Sequence, residues 1–481
     1  MDEEIVADNQ FDFDDINFKL VAAPFNNFRI SASLFRSQNE FNYISEQIFD
    51  RFETRDIVDY NSTAFQIKAS LQESEKHQTE FSLASSESQN SFDYTLQNTD
   101  EDEVINNTSI FNAIEDDFIR LVHHFKIDEH WLLDFGYNYN KKSVSFILDE
   151  VIDDEEDFFE STTTQEEFNN LFGAFEMMSD KWRVNGGLKY TSYVNSEQRF
   201  WSPRMNIQYR INDHFKLDVS ASRMYQFINQ LEDVGDFDLN LNGNIWILRE
   251  SDEDSFIESQ KLSLGLIMNT ENWLIDFSLY RNMSSGLSLL RTTSGIEADP
   301  FVVGEADVQG IDALVQAQWG GFYSQLNYSL SKHNYDFPTV FDATFLSPND
   351  QTHRLNWLNR LSIGRFQFSL AGQYKTGLPT TEVTGFDLIN PAEEEYELEF
   401  GPINALRLDD YLRFDVGVGY SLVSTTTKIQ CSLSVLNMFN RTNVLDNFSF
   451  IDENEEGVFE LFSIQRQLLG RTPLFMIRVY W

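Results

Sequence analysis

The stretch KIDEHWLLDFGYNYN, residues 126–140, decides the fold class. After the polar, turn-like Ile127–His130, Trp131, Leu133, Phe135, Tyr137 and Tyr139 fall on one face of an extended chain, with Leu132, Asp134, Gly136, Asn138 and Asn140 on the other. Period two is the signature of a strand, here with one apolar face that begins and ends on aromatic rings. The pattern recurs at WRVNGGLKYT (182–191), FKLDVSAS (215–222), FYSQLNYSL (322–330) and FQFSLAGQY (366–374). A single apolar face suits either a soluble sandwich or a wall against lipid.

Two regularities separate these architectures. The residue after each tight turn is aromatic: Phe28, Trp131, Trp182, Phe215, Trp273, Phe322 and Phe366. Several of the strands finish on Tyr139, Tyr190 or Tyr374, and rings at both edges of an apolar band suit a membrane–water interface. Short connections also alternate with long acidic ones such as ILDEVIDDEEDFFESTTTQEE, NTDEDEVINN, ESDEDSFIE and NPAEEEYELEF. Short turns on one rim and long loops on the other describe an outer-membrane barrel. The terminal TPLFMIRVYW (472–481) fits as a last strand, with Phe475, Ile477 and Val479 toward lipid and Trp481 at the periplasmic interface. Val479→Arg near mid-bilayer is then expected to cost about 2–4 kcal/mol.

Bulk composition agrees. The net charge of −43 argues against nucleic acid as a partner, and 44 Phe among 481 residues are too many for a disordered acidic chain. The single cysteine, Cys431, excludes an internal disulfide and a multi-thiolate metal site. No apolar run approaches the length of a transmembrane helix, and the opening MDEEIVADNQ lacks the pattern of a secretory signal. The expected fold is all-β: a large antiparallel transmembrane β-barrel, one domain over residues 1–481, with about nineteen spanning strands of about 9–11 residues each. Bacterial barrels have even strand numbers. An odd number of strands, three of a probable 22, is therefore expected before Met1 together with a signal peptide.

At this point the residues resemble the barrel portion of a TonB-dependent outer-membrane receptor. The resemblance is carried in order by WSPRMNIQYRINDHFKLDVSASRMYQFINQL, GIDALVQAQWGGFYSQLNYSLSKHNYDF, DQTHRLNW, YKTGLPTTEVTG, YLRFDVGVGYSL, LSVLNMFNRTNV and RTPLFMIRVYW, over most of residues 180–481. FDFDDINFKLVAAPFNNFRISASLFRSQNEFNY resembles an earlier strand pair, and LNMFNRTNV is the most specific of these stretches. The resemblance implies energised uptake of a scarce, bulky solute such as a siderophore, vitamin, oligosaccharide or peptide. It also implies the outer membrane of a Gram-negative bacterium, with lipid and lipopolysaccharide around the wall. The partners implied are the TonB complex, reached through a plug domain with no counterpart in this sequence, and a surface lipoprotein lid. The competing expectations are a passive channel or a non-transporting barrel fragment.

No enzyme is expected, because no convergent His with Ser or Asp, phosphate loop or nucleophile elbow is recognisable. No cofactor is expected, and catalytic, metal and ligand-binding residues are left unassigned. His123 and His124 point to opposite faces of a strand and cannot chelate together. Asp238, Asn240, Asn242 and Gly243 follow the start of a calcium loop, but Arg249 stands at position twelve and Glu250 one residue late, beside Trp246. The runs Asp153, Asp154, Glu155, Glu156 and Asp157, and Glu393, Glu394 and Glu395, read first as a solvated, repulsive surface and second as cation attractors.

Overall fold

The computed structural model describes residues 6–48, 52–98, 103–152, 155–232, 245–248, 256–290, 301–390, 395–423, 427–453 and 458–480. Nineteen strands, each paired antiparallel with the next, form one wall. They are β1 (Val6–Phe25), β2 (Phe28–Ile48), β3 (Phe52–Gln72), β4 (His77–Asn98), β5 (Glu103–Lys126), β6 (Trp131–Ile152) and β7 (Glu155–Met178). Next come β8 (Trp182–Tyr193), β9 (Arg199–Arg210), β10 (Phe215–Gln226), β11 (Ile257–Asn269), β12 (Trp273–Leu290) and β13 (Phe301–Trp319). The wall ends with β14 (Phe322–Asp336), β15 (His353–Ile363), β16 (Phe366–Lys375), β17 (Tyr411–Val423), β18 (Lys428–Leu436) and β19 (Thr472–Tyr480). Among the described residues there is no helix. β1 is laddered to β2 and β19 to β18, and among the described residues neither strand has a second ladder.

All seven post-turn aromatics open a strand: Phe28, Trp131, Trp182, Phe215, Trp273, Phe322 and Phe366 are each its first residue. A shared turn device explains four of them. Asp128 Oδ1 accepts from the Trp131 N–H at 3.0 Å, and Asn212 Oδ1 from that of Phe215 at 3.0 Å. Ser179 Oγ does the same for Trp182 and Thr270 Oγ1 for Trp273, both at 3.1 Å. A short polar side chain three residues upstream thus satisfies the donor exposed at the tight turn. The aromatic follows at the rim and meets its neighbours, with Trp182–Tyr209 centroids 4.4 Å apart, Phe366–Tyr420 4.9 Å and Trp273–Trp319 5.0 Å.

Above this rim the outward face is apolar for four or five positions and then turns polar at a common height. β2 reads Phe28, Ile30, Ala32, Leu34, then Arg36; β10 reads Phe215, Leu217, Val219, Ala221, then Arg223. β12 reads Trp273, Ile275, Phe277, Leu279, then Arg281. Register keeps these positions level, since Leu217 faces Leu266 and Leu266 faces Phe277. Eight to ten residues of tilted strand give a band of about 25 Å, the height of an outer-membrane hydrocarbon belt.

The strands do not stop at the top of that band. β1 to β7 are 20–24 residues long, where about 9–11 were expected. Among the described residues, two of the acidic stretches read as long loops are largely strand: β6 runs to Ile152 and β7 starts at Glu155, while β4 ends at Asn98 and β5 starts at Glu103; most of ESDEDSFIE lies outside the described residues. Beyond the bilayer both sides can be wetted, so the acidic side chains are no obstacle and the ladder continues. In this upper part the inward face becomes the apolar one. Phe92, Ile110, Val144, Phe146, Leu148 and Phe168 are buried there.

Candidate conduit and its extracellular mouth

Inside the membrane band the inward residues of neighbouring strands are joined across the ladder by polar contacts. Lys68 Nζ lies 2.7 Å from Glu80, His124 Nδ1 2.6 Å from Asp134, and Arg183 2.6 Å from Glu176. Asn206 Nδ2 donates to Asp218 at 2.9 Å, and Gln373 Nε2 to Asn356 at 2.9 Å. Along β17 itself, Arg413 holds Asp415, two residues on, in a fork at 2.7–3.0 Å. A recess of about 700 Å³ opens on the polar side of β4 to β10, with His124, Asp134, Glu176, Asn185, Arg204 and Asn206 on its surface. The surface is wettable and of mixed charge, suited to passing a polar solute and without a convergent catalytic set.

The mouth above it is built differently. The segment after β10 turns into the interior as a small hairpin, Ile228–Glu232 against Trp246–Leu248. Its Leu231, Ile245 and Ile247 pack with Val58, Phe92, Ile110, Phe146 and Leu148 of the wall. Phe227 and Leu248 pack with Val144, Phe168, Tyr193 and Phe200. Asn112, buried on β5, holds the hairpin by its backbone: its Nδ2 donates to the Trp246 carbonyl at 2.8 Å and its Oδ1 accepts from the Trp246 N–H at 3.0 Å. The other side of the hairpin pairs parallel with β12 at Leu231–Ser288 and Glu232–Leu289. The hairpin is therefore a strut from β12 to β5 and β6 across the inside of the mouth.

β12 can receive the strut because Gly286 inserts a bulge, with φ +83°. Below it the odd positions face outward. Above it Leu287 and Leu289 face inward, into a second cluster with Ala306, Tyr335, Phe337 and Phe345. A Cβ at Gly286 would stand 2.1 Å from the Phe256 carbonyl oxygen, so only glycine fits.

A third construction fastens the loops above β14 to β19 and accounts for three stretches that carried the resemblance. In DQTHRLNW, the fully buried Asp350 binds Arg407 at 2.5 Å and accepts from the His333 N–H at 2.8 Å. Arg407 also donates to the carbonyl of Gly377, in TGLP, at 2.8 Å, and a Cβ on Gly377 would meet the Leu408 carbonyl at 1.7 Å. In LNMFNRTNV, the buried Asn437 has φ +47°. Its backbone N–H donates to Asp415 at 2.9 Å, and its side chain bonds the Arg441 N–H and C=O at 3.0 and 2.8 Å. Asp410, between these loops and β17, accepts from the Tyr374 hydroxyl at 2.7 Å and the Gly377 N–H at 3.1 Å. Those two bonds hold its carboxyl below the ordinary carboxylate range.

His123 and His124 do point apart, His124 to Asp134 inside and His123 to the outer face. The sequence reading missed His77, whose strand precedes theirs and whose ring meets His123. Among the described residues, no three His, Cys, Asp or Glu side chains gather in a metal-binding cluster. The calcium-like positions Asp238, Asn240, Asn242 and Gly243, with Arg249 and Glu250, lie outside the described residues, as do Asp153, Asp154, Glu393, Glu394 and Trp481.

An antiparallel wall with an aromatic-edged apolar exterior, a polar interior and long strands on one rim defines an outer-membrane β-barrel protein. The family described as TonB dependent receptor-like, beta-barrel, matches residues 6–440, and the chain belongs to it. It is an outer-membrane protein of the Gram-negative type, in a family of receptors and transporters. A comparison with characterised proteins by sequence gave no match. The fold is similar to the ferric yersiniabactin uptake receptor FyuA from Yersinia pestis, at 10% identity and TM-score 0.59, over 99% of this chain and 80% of that one. It is also similar to the outer membrane transporter YddB from Escherichia coli, at 11% identity and TM-score 0.59, over 98% and 76%. The siderophore receptor PiuA from Acinetobacter baumannii gives 11% identity and TM-score 0.56, over 98% and 80%.

Proposed function

We propose that the chain is the conducting wall of a TonB-energised importer for a scarce, bulky solute, with a ferric siderophore as the first candidate. The carrying observation is the polar inner face of the membrane band, with His124, Asp134, Glu176, Asn185, Arg204 and Asn206 around one recess, beneath a mouth narrowed by the packed hairpin. A wettable wall of mixed charge lets a polar solute move along it, and the hairpin across the mouth restricts what enters. The receptors named above for ferric siderophores share the fold and support the choice of class. TonB engagement through a plug domain, lipopolysaccharide around the belt and a lipoprotein lid over the mouth belong to the same proposal.

The test is growth of a deletion strain on single ferric chelates as the iron source. The reading requires a growth defect with at least one chelate, restored by the gene and not restored when TonB is also absent. Large, steady single-channel conductance from the native protein would instead make it a passive channel.

A further inference from the structure

We propose that His77 and His123 form a two-imidazole site for a late first-row divalent metal ion, on the outer face of the wall at the short-turn rim. His77 opens β4 and His123 lies near the lower end of β5. The register sets His77 opposite Phe125 and Thr79 opposite His123, so the two imidazoles are diagonal neighbours on one face. His77 Nδ1 is 3.2 Å from His123 Nε2. Two nitrogens bound to one tetrahedral zinc at about 2.0–2.1 Å stand about 3.3 Å apart, so the pair already has the spacing of co-ligands.

The surroundings fix which nitrogen is free. The Thr79 hydroxyl donates to Glu73 Oε1 at 2.5 Å, and Thr79 Oγ1 lies 2.9 Å from His123 Nδ1. With its proton given to the carboxylate, the Thr79 oxygen accepts from His123 Nδ1–H. The lone pair of His123 is thereby left on Nε2, aimed at His77. A hydrogen bond from the other ring N–H is the usual outer support of a ligating histidine, and here a hydroxyl held by a carboxylate supplies its acceptor. Both rings are also clamped, His77 stacked on Phe125 at 4.7 Å and His123 against Phe135 at 5.2 Å. A metal would take the place of the proton between the two imidazoles, each ring turning so that its lone pair meets the ion to one side of the N···N line, and water would fill its other positions. Imidazole donors favour copper, nickel and zinc over magnesium and calcium. The site ties the foot of β5 to the β3–β4 turn, where the wall meets the periplasm.

The natural protein in detergent micelles, titrated calorimetrically with Cu²⁺ and then Zn²⁺, should bind one ion per chain, with no heat from Mg²⁺. His77→Gln and His123→Gln should each weaken binding at least tenfold, and Thr79→Val by about tenfold. His214→Ala, in a different turn, should leave binding unchanged. The Cu²⁺ spin-resonance spectrum should show two coupled nitrogens, falling to one in either single variant. Heat-modifiable gel migration confirms that each variant is folded. Absence of binding by the natural protein, or equal binding by folded His77→Gln and His123→Gln proteins, overturns the site.

Discussion

The lower and upper parts of the same strands are amphipathic in opposite senses. On β6 the outward residues of the lower part are Trp131, Leu133, Phe135, Tyr137 and Tyr139, and the inward ones include Asp134, Asn138 and Asn140. A few residues higher, Lys141, Ser143 and Ser145 face out while Val144, Phe146 and Leu148 face in and are buried. Period two never breaks; only the side carrying the apolar residues changes. The surroundings explain the inversion. Below, hydrocarbon lies outside and water inside; above, water lies outside and a packed strut fills the inside. Strand patterning by itself says that a sheet has two environments, and the phase says which side each is on.

The largest effect that tests this contrast is a pair of truncations. Phe146, 1% exposed in the upper cluster, should lose about 3–5 kcal/mol on Phe146→Ala, because a closed packed site keeps the cavity. Phe135, 51% exposed on the lipid side, should lose about 1–2 kcal/mol on Phe135→Ala, since lipid fills the space and only the transfer contribution remains. Urea unfolding of protein reconstituted in lipid vesicles reads both, and equal losses would refute a bilayer around the lower part. Next come charges on the outer face. Phe277→Arg in the band should cost about 2–4 kcal/mol, while Ser143→Arg above it should stay within about 0.5 kcal/mol in the same assay.

Gly286→Ala strikes the bulge that lets β12 change phase, and a loss of about 1–3 kcal/mol is expected from the forced positive φ and the contact with Phe256. Protease digestion of intact vesicles should then cut the strut around Phe227–Glu232 faster while sparing the lower band. A uniform change would mean that the two parts are not separately built. The smallest effect is the pH response of the loop anchor. Asp410 has its folded value depressed by Tyr374 and Gly377. Its contribution is therefore full above the unfolded carboxylate value of about 3.9 and is lost as pH falls below it toward the folded value. Asp410→Asn should flatten the acid limb of the unfolding midpoint below about pH 4 and leave it unchanged in shape at pH 6–8.

The lower band was legible residue by residue. All seven aromatics named from the sequence open strands, and about nineteen spanning strands were expected where nineteen stand among the described residues. The upper part was misread because Asp and Glu signal a loop only if water is taken as unavailable to a strand. Above a membrane, a laddered strand can carry them on its wetted face. Of the candidate site the alternation gave only the polar face opposite the apolar one, and no residue of a site. His77 lies 46 residues before His123, and nothing in either neighbourhood announces the other. Asp350 and Arg407 are 57 residues apart, and their pairing explains DQTHRLNW and TGLP only once the loops are folded together.

The sequence by itself determined that this chain makes strands with one apolar side, where seven of them begin, and that the band they form meets lipid. Those are consequences of local backbone geometry and of the few surroundings that can accept a given side chain. Tertiary structure alone decided the register, the height at which the apolar side crosses from outside to inside, and which distant residues share a face. These depend on inter-strand hydrogen bonding, in which a shift of one residue exchanges the two faces and therefore every contact between them.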